Sequence, residues 1–183
     1  MNNHFFFFLL LFSACSACTS DIQTGEDPVV VIEEPTPDIP TPNPTNNDVA
    51  VSEMAQSVMD LVNQWRTNGC RCGNQNMPPV SALTFHNDLM EAAQSHSQDQ
   101  ASMNRMQHAG SDGSNVGQRV TRSGYTWRAV AENVAWNYQT AESVVNGWIN
   151  SEGHCRNIMN SNYRHMGIAQ QNWFWTQVFA APR

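Results

Sequence analysis

The chain contains no lysine; its nine basic residues are all arginine, and none lies before residue 66. Residues 51–183 hold nine acids against those nine arginines, so the net charge of -7 belongs entirely to the first 50 residues. A domain with balanced charge and no basic stripe lacks the electrostatic footprint for nucleic acid. Also missing are a phosphate-binding glycine loop, an HExxH pair, an N-glycosylation sequon and any internal repeat. Long apolar runs are scarce. The one present covers residues 5–12, too short to span a bilayer.

That run has another meaning. It follows a short polar start and leads into small residues, the pattern of a secretory signal peptide over residues 1–18. The stretch LFSAC at its end resembles a bacterial lipobox, which makes Cys15 the expected lipidation site. Cys18 is the alternative acceptor, and cleavage without a lipid is the next. Two or more acyl chains on one such residue hold a membrane far better than one. Residues 19–51 are rich in Pro, Thr and acid, with no basic residue. They cannot bury enough apolar surface to order themselves, and their Thr-Pro and Asn-Pro steps favour extended chain. They read as a tether lifting a domain, residues 52–183, off a membrane, or as a plain leader with no spacing role.

Within the domain, Met54, Val58, Leu61, Val62 and Trp65 share one face of a helix over residues 52–68, stopped by Gly69. Residues 70–85 read as a loop, broken by Gly73 and Pro78-Pro79. Asn87 is the expected cap of a second helix to Asn104, with Leu89, Ala93, His96 and Met103 on one side. That placement makes His96 a core residue. His86 precedes the cap and His165 falls in a surface turn; neither is given a role. A Gly/Ser/Asp loop follows, then a short helix closing at Gly124, a short strand in ENVAW, and a helix capped by Thr140 that buries Val144, Val145, Trp148 and Ile149. HCRNIMN forms a helical turn, and the last residues form two strands around Gln171 and Asn172. Helices first and strands late point to an α+β layer fold.

Five features then line up: QHAGSDGS with His108, AENVAW with Glu132, GWINSEGHCRNIM with Trp148 and His154, NYRHMGIA, and FWTQVFA. In this order and spacing the set resembles the CAP superfamily of cysteine-rich secretory, antigen 5 and pathogenesis-related proteins, and within it the bacterial secreted branch with an SCP domain. The resemblance implies an α–β–α sandwich with a small antiparallel sheet between helical layers. It also implies a central cleft with two histidines and two acids, which binds a divalent metal such as zinc in some members. Carried over, the cleft residues are His108, Glu132 and His154. The second acid would fall on Ser151, so Glu152 next door or Asp112 is its expected substitute, or water. Independently of the resemblance, two imidazoles and a carboxylate are a common divalent-metal set. Each histidine taken alone reads first as a hydrogen-bonded structural residue.

The cysteine of GHC sits beside His154, and adjacent residues on a helical turn do not face each other. A thiolate nucleophile needs a base within hydrogen-bond reach; only His108 is left for that role. An exported chain favours pairing, and the resemblance implies a Cys72–Cys155 disulfide, leaving Cys70 odd. The resulting expectation is an exported, lipid-anchored protein whose cleft binds an envelope or extracellular lipid, glycan or protein. The alternative is a metal-assisted hydrolase using the same cleft, with Glu152 or Asp112 as base. A third reading, glycoside hydrolysis by Glu132 and Glu152, needs the right carboxylate separation.

Overall fold

The structure, a computed structural model, describes residues 51–183. The expected signal peptide, Cys15, Cys18 and the expected tether up to residue 50 lie outside the described residues. Helix α1 (Glu53–Asn68) starts where Ser52 Oγ accepts the Ala55 backbone N–H. It buries Ala55, Val58, Met59 and Val62 together with a charged residue, Arg66.

The segment expected to be one loop carries three short strands. β1 (Cys70–Cys72) and β2 (Gln75–Met77) form an antiparallel hairpin, and β3 (Thr84–Phe85) pairs parallel with β5 (His165–Gln171). Strands of two or three residues are too short for periodicity to register. Helix α2 (Asn87–Met103) is capped by His86 rather than Asn87, because His86 keeps extended backbone from β3 and its Nδ1 accepts the Asp88 N–H at 3.3 Å. His165 likewise leaves the expected surface turn: it opens β5, half-buried, with Nδ1 hydrogen-bonded to Tyr125 Oη at 2.6 Å.

Helix α3 (Val116–Arg122) starts with a reciprocal capping box between Asn115 and Gln118. β4 (Trp127–Trp136) is twice the expected length, since the half-buried residues before Glu132 also pair with β6 (Phe174–Pro182). Between β4 and β5 lie α4 (Ala141–Ile149), capped by Thr140, and α5 (Glu152–Ile158). The β5–β6 turn places Asn172 and Trp173 at positive φ, 51° and 64°, as a two-residue hairpin with right-handed twist requires.

The main sheet has the order β3-β5-β6-β4, so β4 is an edge strand. Strand parity divides the core. On one face, Leu89, Ala92 and Ala93 of α2 and Val120 of α3 pack on Val178 and Ala180. On the other, Val58, Val62, Val144, Trp148 and Ile158 pack with Trp175 and Phe179. The result is the expected α–β–α sandwich, with β3 its one parallel strand. α2 seats directly on β5: a Cβ at Gly167 would lie 2.1 Å from the Leu89 carbonyl group, so only glycine permits this approach.

Arg66 ties α1 to the end of α5. Its guanidinium, wholly buried, donates to the carbonyls of Ser81 (2.8 Å), Ile158 (2.5 Å), Asn160 (3.0 Å) and Tyr163 (3.5 Å). Burial lowers its pKa to about 10, which leaves it charged at neutral pH.

Candidate functional site

His108 and Glu132 meet at the edge strand β4, and the backbone of His154 is tied to the same strand. Glu132 shares its sheet face with Val178, the face covered by α2 and α3. Its side chain is 2% exposed, and both oxygens are engaged. Oε1 accepts from His108 Nδ1 at 2.9 Å, and Oε2 accepts from Arg119 Nη2 at 2.6 Å. Arg119, buried on α3, also donates to the carbonyls of Ser114 (2.8 Å) and His108 (3.0 Å). It therefore fixes both the loop that carries His108 and the carboxylate that holds its ring.

With Nδ1–H committed to Glu132, His108 presents Nε2 outward; its side chain is 62% exposed. The Glu132 hydrogen bond raises the His108 pKa above its ordinary value, against a smaller opposing effect of burial. His154 arrives from the other side. Asn133, next along β4, faces α5: its Nδ2 donates to the His154 carbonyl at 3.3 Å, and Asn157 Nδ2 donates to Asn133 Oδ1 at 2.9 Å. Asn157 also bonds the Glu132 carbonyl at 3.3 Å, so α5 is pinned along the strand edge. The His154 pKa is lowered first by burial and then by the positive charge of His108.

The other three expected residues stand apart from this group. Ser151 sits at the N-cap of α5 without a capping side-chain bond. Glu152 is exposed and paired with Arg156, and its carboxylate turns toward Gly73, where an added Cβ would meet it at 2.6 Å. Asp112 is bound to Arg122 at 3.0 Å and accepts the Ser114 N–H at 2.9 Å. Hydrogen bonds from the Ser114 side chain and backbone, more than Arg122, lower its pKa to about 2. Among the described residues, the ligand atoms of His108, Glu132 and His154 do not form a group within 4.8 Å of one another.

Two residues of the site escape a motif reading. Arg119 is one; His96 is the other. His96 is fully buried, as expected, but it is polar core: Nε2 donates to the Gln107 carbonyl at 2.9 Å and lies 3.9 Å from Glu132 Oε1. Its Nδ1 has no hydrogen-bond partner among the described residues. Burial lowers its pKa, the leading cause, so the ring is neutral. His96 and Arg119 also line a polar pocket of about 220 Å³ with Asp99, Asp112 and Arg122.

Cys72 and Cys155 form a disulfide with Cα atoms 5.5 Å apart and a sequence separation of 83. It joins β1 to α5, one residue from His154. Cys70 is free and half-buried.

Comparison with known proteins agrees with this architecture. The sequence matches the family described as "CAP: Cysteine-rich secretory protein family" over residues 59–179. It is 30% identical over 137 residues to "Uncharacterized protein YkwD" of Bacillus subtilis (strain 168), a stretch covering 74% of this chain and 50% of that protein. Among solved structures it is similar to an extracellular protein containing a SCP domain from Bacillus anthracis str. Ames, with TM-score 0.61 and 26% identity over 69% of this chain and 39% of that one. It is also similar to an outer surface protein from Borrelia burgdorferi, with TM-score 0.62 over 74% of this chain and 97% of that one; at 16% identity this likeness concerns the fold alone. The chain spans half or less of the curated relatives it matches. With the family match running from α1 to β6 on a sandwich of the expected kind, the chain belongs to the CAP, or cysteine-rich secretory protein, family.

Proposed function

We propose that this chain is an exported binding protein of the cell envelope, anchored through a lipid on Cys15. Its cleft holds a lipid, glycan or protein ligand through His108 and His154, with a divalent metal such as zinc as the bridge. The observation that carries this reading is the state of Glu132. Its two oxygens are both taken, one by His108 and one by Arg119, so it orients an imidazole instead of acting on a substrate. A carboxylate on the second nitrogen of a histidine is the usual outer partner of a metal-bound imidazole. His108 Nε2 and His154 would hold the cation in that arrangement; Glu132, with both oxygens engaged, would not be a third ligand. When bound, the metal would supply a Lewis-acid contact for an oxygen of the ligand. Export is supported by the apolar leader and by similarity to a protein described as extracellular.

The hydrolase alternative needs a carboxylate with a free oxygen beside the histidines. Glu152 is drawn to Arg156 and Asp112 to Arg122, which disfavours both as bases. Calorimetric titration of zinc into the oxidised full chain, carrying Cys15→Ser and Cys18→Ser throughout, tests the metal. Binding that disappears in both His108→Ala and His154→Ala is the expected result; no binding in the parent rejects the bridge. The ligand is tested by binding the same protein to lipid vesicles, glycan arrays and peptidoglycan. Binding no better than that of a heat-denatured control rejects the proposal.

A further inference from the structure

Three sulfurs meet where β1 packs against α5. Cys70 and Cys72 lie two apart on one strand and so project from the same face; Cys155 comes from α5. The Cys70 Sγ is 3.7 Å from Cys155 Sγ and 4.0 Å from Cys72 Sγ. Among the described residues, these three form the one group of His, Cys, Asp or Glu whose ligand atoms lie within 4.8 Å of one another.

The arrangement is unsuited to thiol–disulfide exchange. An in-line attack on Cys155 would set the Cys72 sulfur about 2 Å farther from Cys70 than the Cys155 sulfur is. The two distances are instead nearly equal, so Cys70 stands beside the bond. Burial also raises the Cys70 pKa, which keeps the thiol protonated and a poor nucleophile. The same arrangement suits a shared cation. Sulfur ligands at about 2.3 Å from a tetrahedral ion are about 3.8 Å from one another. Two of the three edges already have this length. The third, closed by the disulfide, has to lengthen by about 2 Å, within the reach of a side-chain rotation.

We propose that the thiol form of the chain, the form in which it is made, binds one thiophilic divalent cation such as zinc through Cys70, Cys72 and Cys155, and that disulfide closure abolishes this site. Binding forms three sulfur–metal bonds as three S–H protons leave, with no change in oxidation state. Closure oxidises the Cys72 and Cys155 thiolates: their sulfur–metal bonds give way to the S–S bond. Two electrons pass to a disulfide-class oxidant, which takes two protons from water to become the dithiol. The cation is released as Cys70 regains its proton from water. Cys72 and Cys155 are wholly buried and Cys70 is half-buried, so Cys70 is the point of entry and leaves the fourth corner to water. The site uses none of the cleft histidines, although Cys155 adjoins His154 on α5.

The test is cobalt titration of the full chain, with Cys15→Ser and Cys18→Ser throughout, reduced by a phosphine and followed by near-ultraviolet absorption and circular dichroism. Thiolate ligands give a sulfur-to-cobalt charge-transfer band that imidazole ligands do not, so this outcome is separable from metal binding at His108 and His154. One equivalent producing the band in the reduced chain, none in the oxidised chain, and binding weakened at least about tenfold by Cys70→Ser are expected; even an outer partner's loss costs that much. Absence of the band in the reduced chain overturns the proposal, whether the chain is folded or unfolded with cobalt present. A band that forms with undiminished affinity in Cys70→Ser, or that appears in the oxidised chain, overturns it as well.

Discussion

Replacing Glu132 by Gln would remove the negative charge that faces Arg119 while nearly preserving shape. Arg119 is 5% exposed and cannot turn to water, so its charge would remain buried. Breaking a buried ion pair from one side costs about 3–5 kcal/mol. Glutamine keeps an acceptor for the Arg119 N–H, and two carbonyls still bond the guanidinium, which places the expected loss near 3 kcal/mol. For a domain of this size that lowers Tm by about 10 °C. The reasoning attributes the loss to an orphaned charge, and a double-mutant cycle can separate this from lost packing. Arg119→Met should be costly alone, because Glu132 then lacks its arginine, while Arg119→Met with Glu132→Gln should cost much less than the sum. Urea unfolding of the four proteins measures the coupling. Costs that add to within about 0.5 kcal/mol would refute the ion-pair account. The same substitution should move His108. Its pKa is raised in the folded state, so the associated stability is present below about pH 6.5 and is lost as pH rises through the folded value. NMR titration of the Glu132→Gln protein should show His108 falling back toward about 6.5.

Cys72→Ala removes a crosslink spanning 83 residues and should cost about 4–5 kcal/mol by the chain-entropy account; equal urea midpoints for the oxidised parent and the variant would contradict it. Gly167→Ala sets a methyl group against the Leu89 backbone, which neither α2 nor β5 can vacate cheaply, and should cost about 3 kcal/mol or more by thermal unfolding. The lowered His154 pKa means the unfolded chain binds the proton first, so stability falls as pH drops below about 6.5 toward the folded value. His108→Ala relieves the repulsion and should raise the His154 pKa; an unchanged NMR titration would show that the two rings do not face each other.

Long elements were legible because their signals repeat. The α1 and α4 stripes recur over several turns, and Ser52 and Thr140 cap as their chemistry requires. The β1–β2 hairpin was not legible: a three-residue strand holds less than two periods of alternation, and its partner for packing is α5, more than 80 residues on. The cleft shows a similar division. Motif order carries His108, Glu132 and His154, but residue type says nothing about which carboxylate oxygens remain free. Arg119 did leave a trace, since it follows Val116 by three and precedes Val120 by one, a cation on the apolar stripe of a short helix. Such a cation has to be satisfied in the core. Arg66 poses the same problem on α1 and is answered differently, by carbonyls 15 to 97 residues away, with no acid among the described residues bonded to it. Arg119 takes Glu132, the one buried carboxylate among the described residues, 13 positions along the chain. A buried arginine can thus be recognised from its stripe, whereas the choice between carbonyls and a carboxylate depends on which strand edge the fold brings to it. Here that choice makes Glu132 a support for His108 and leaves the imidazole exposed.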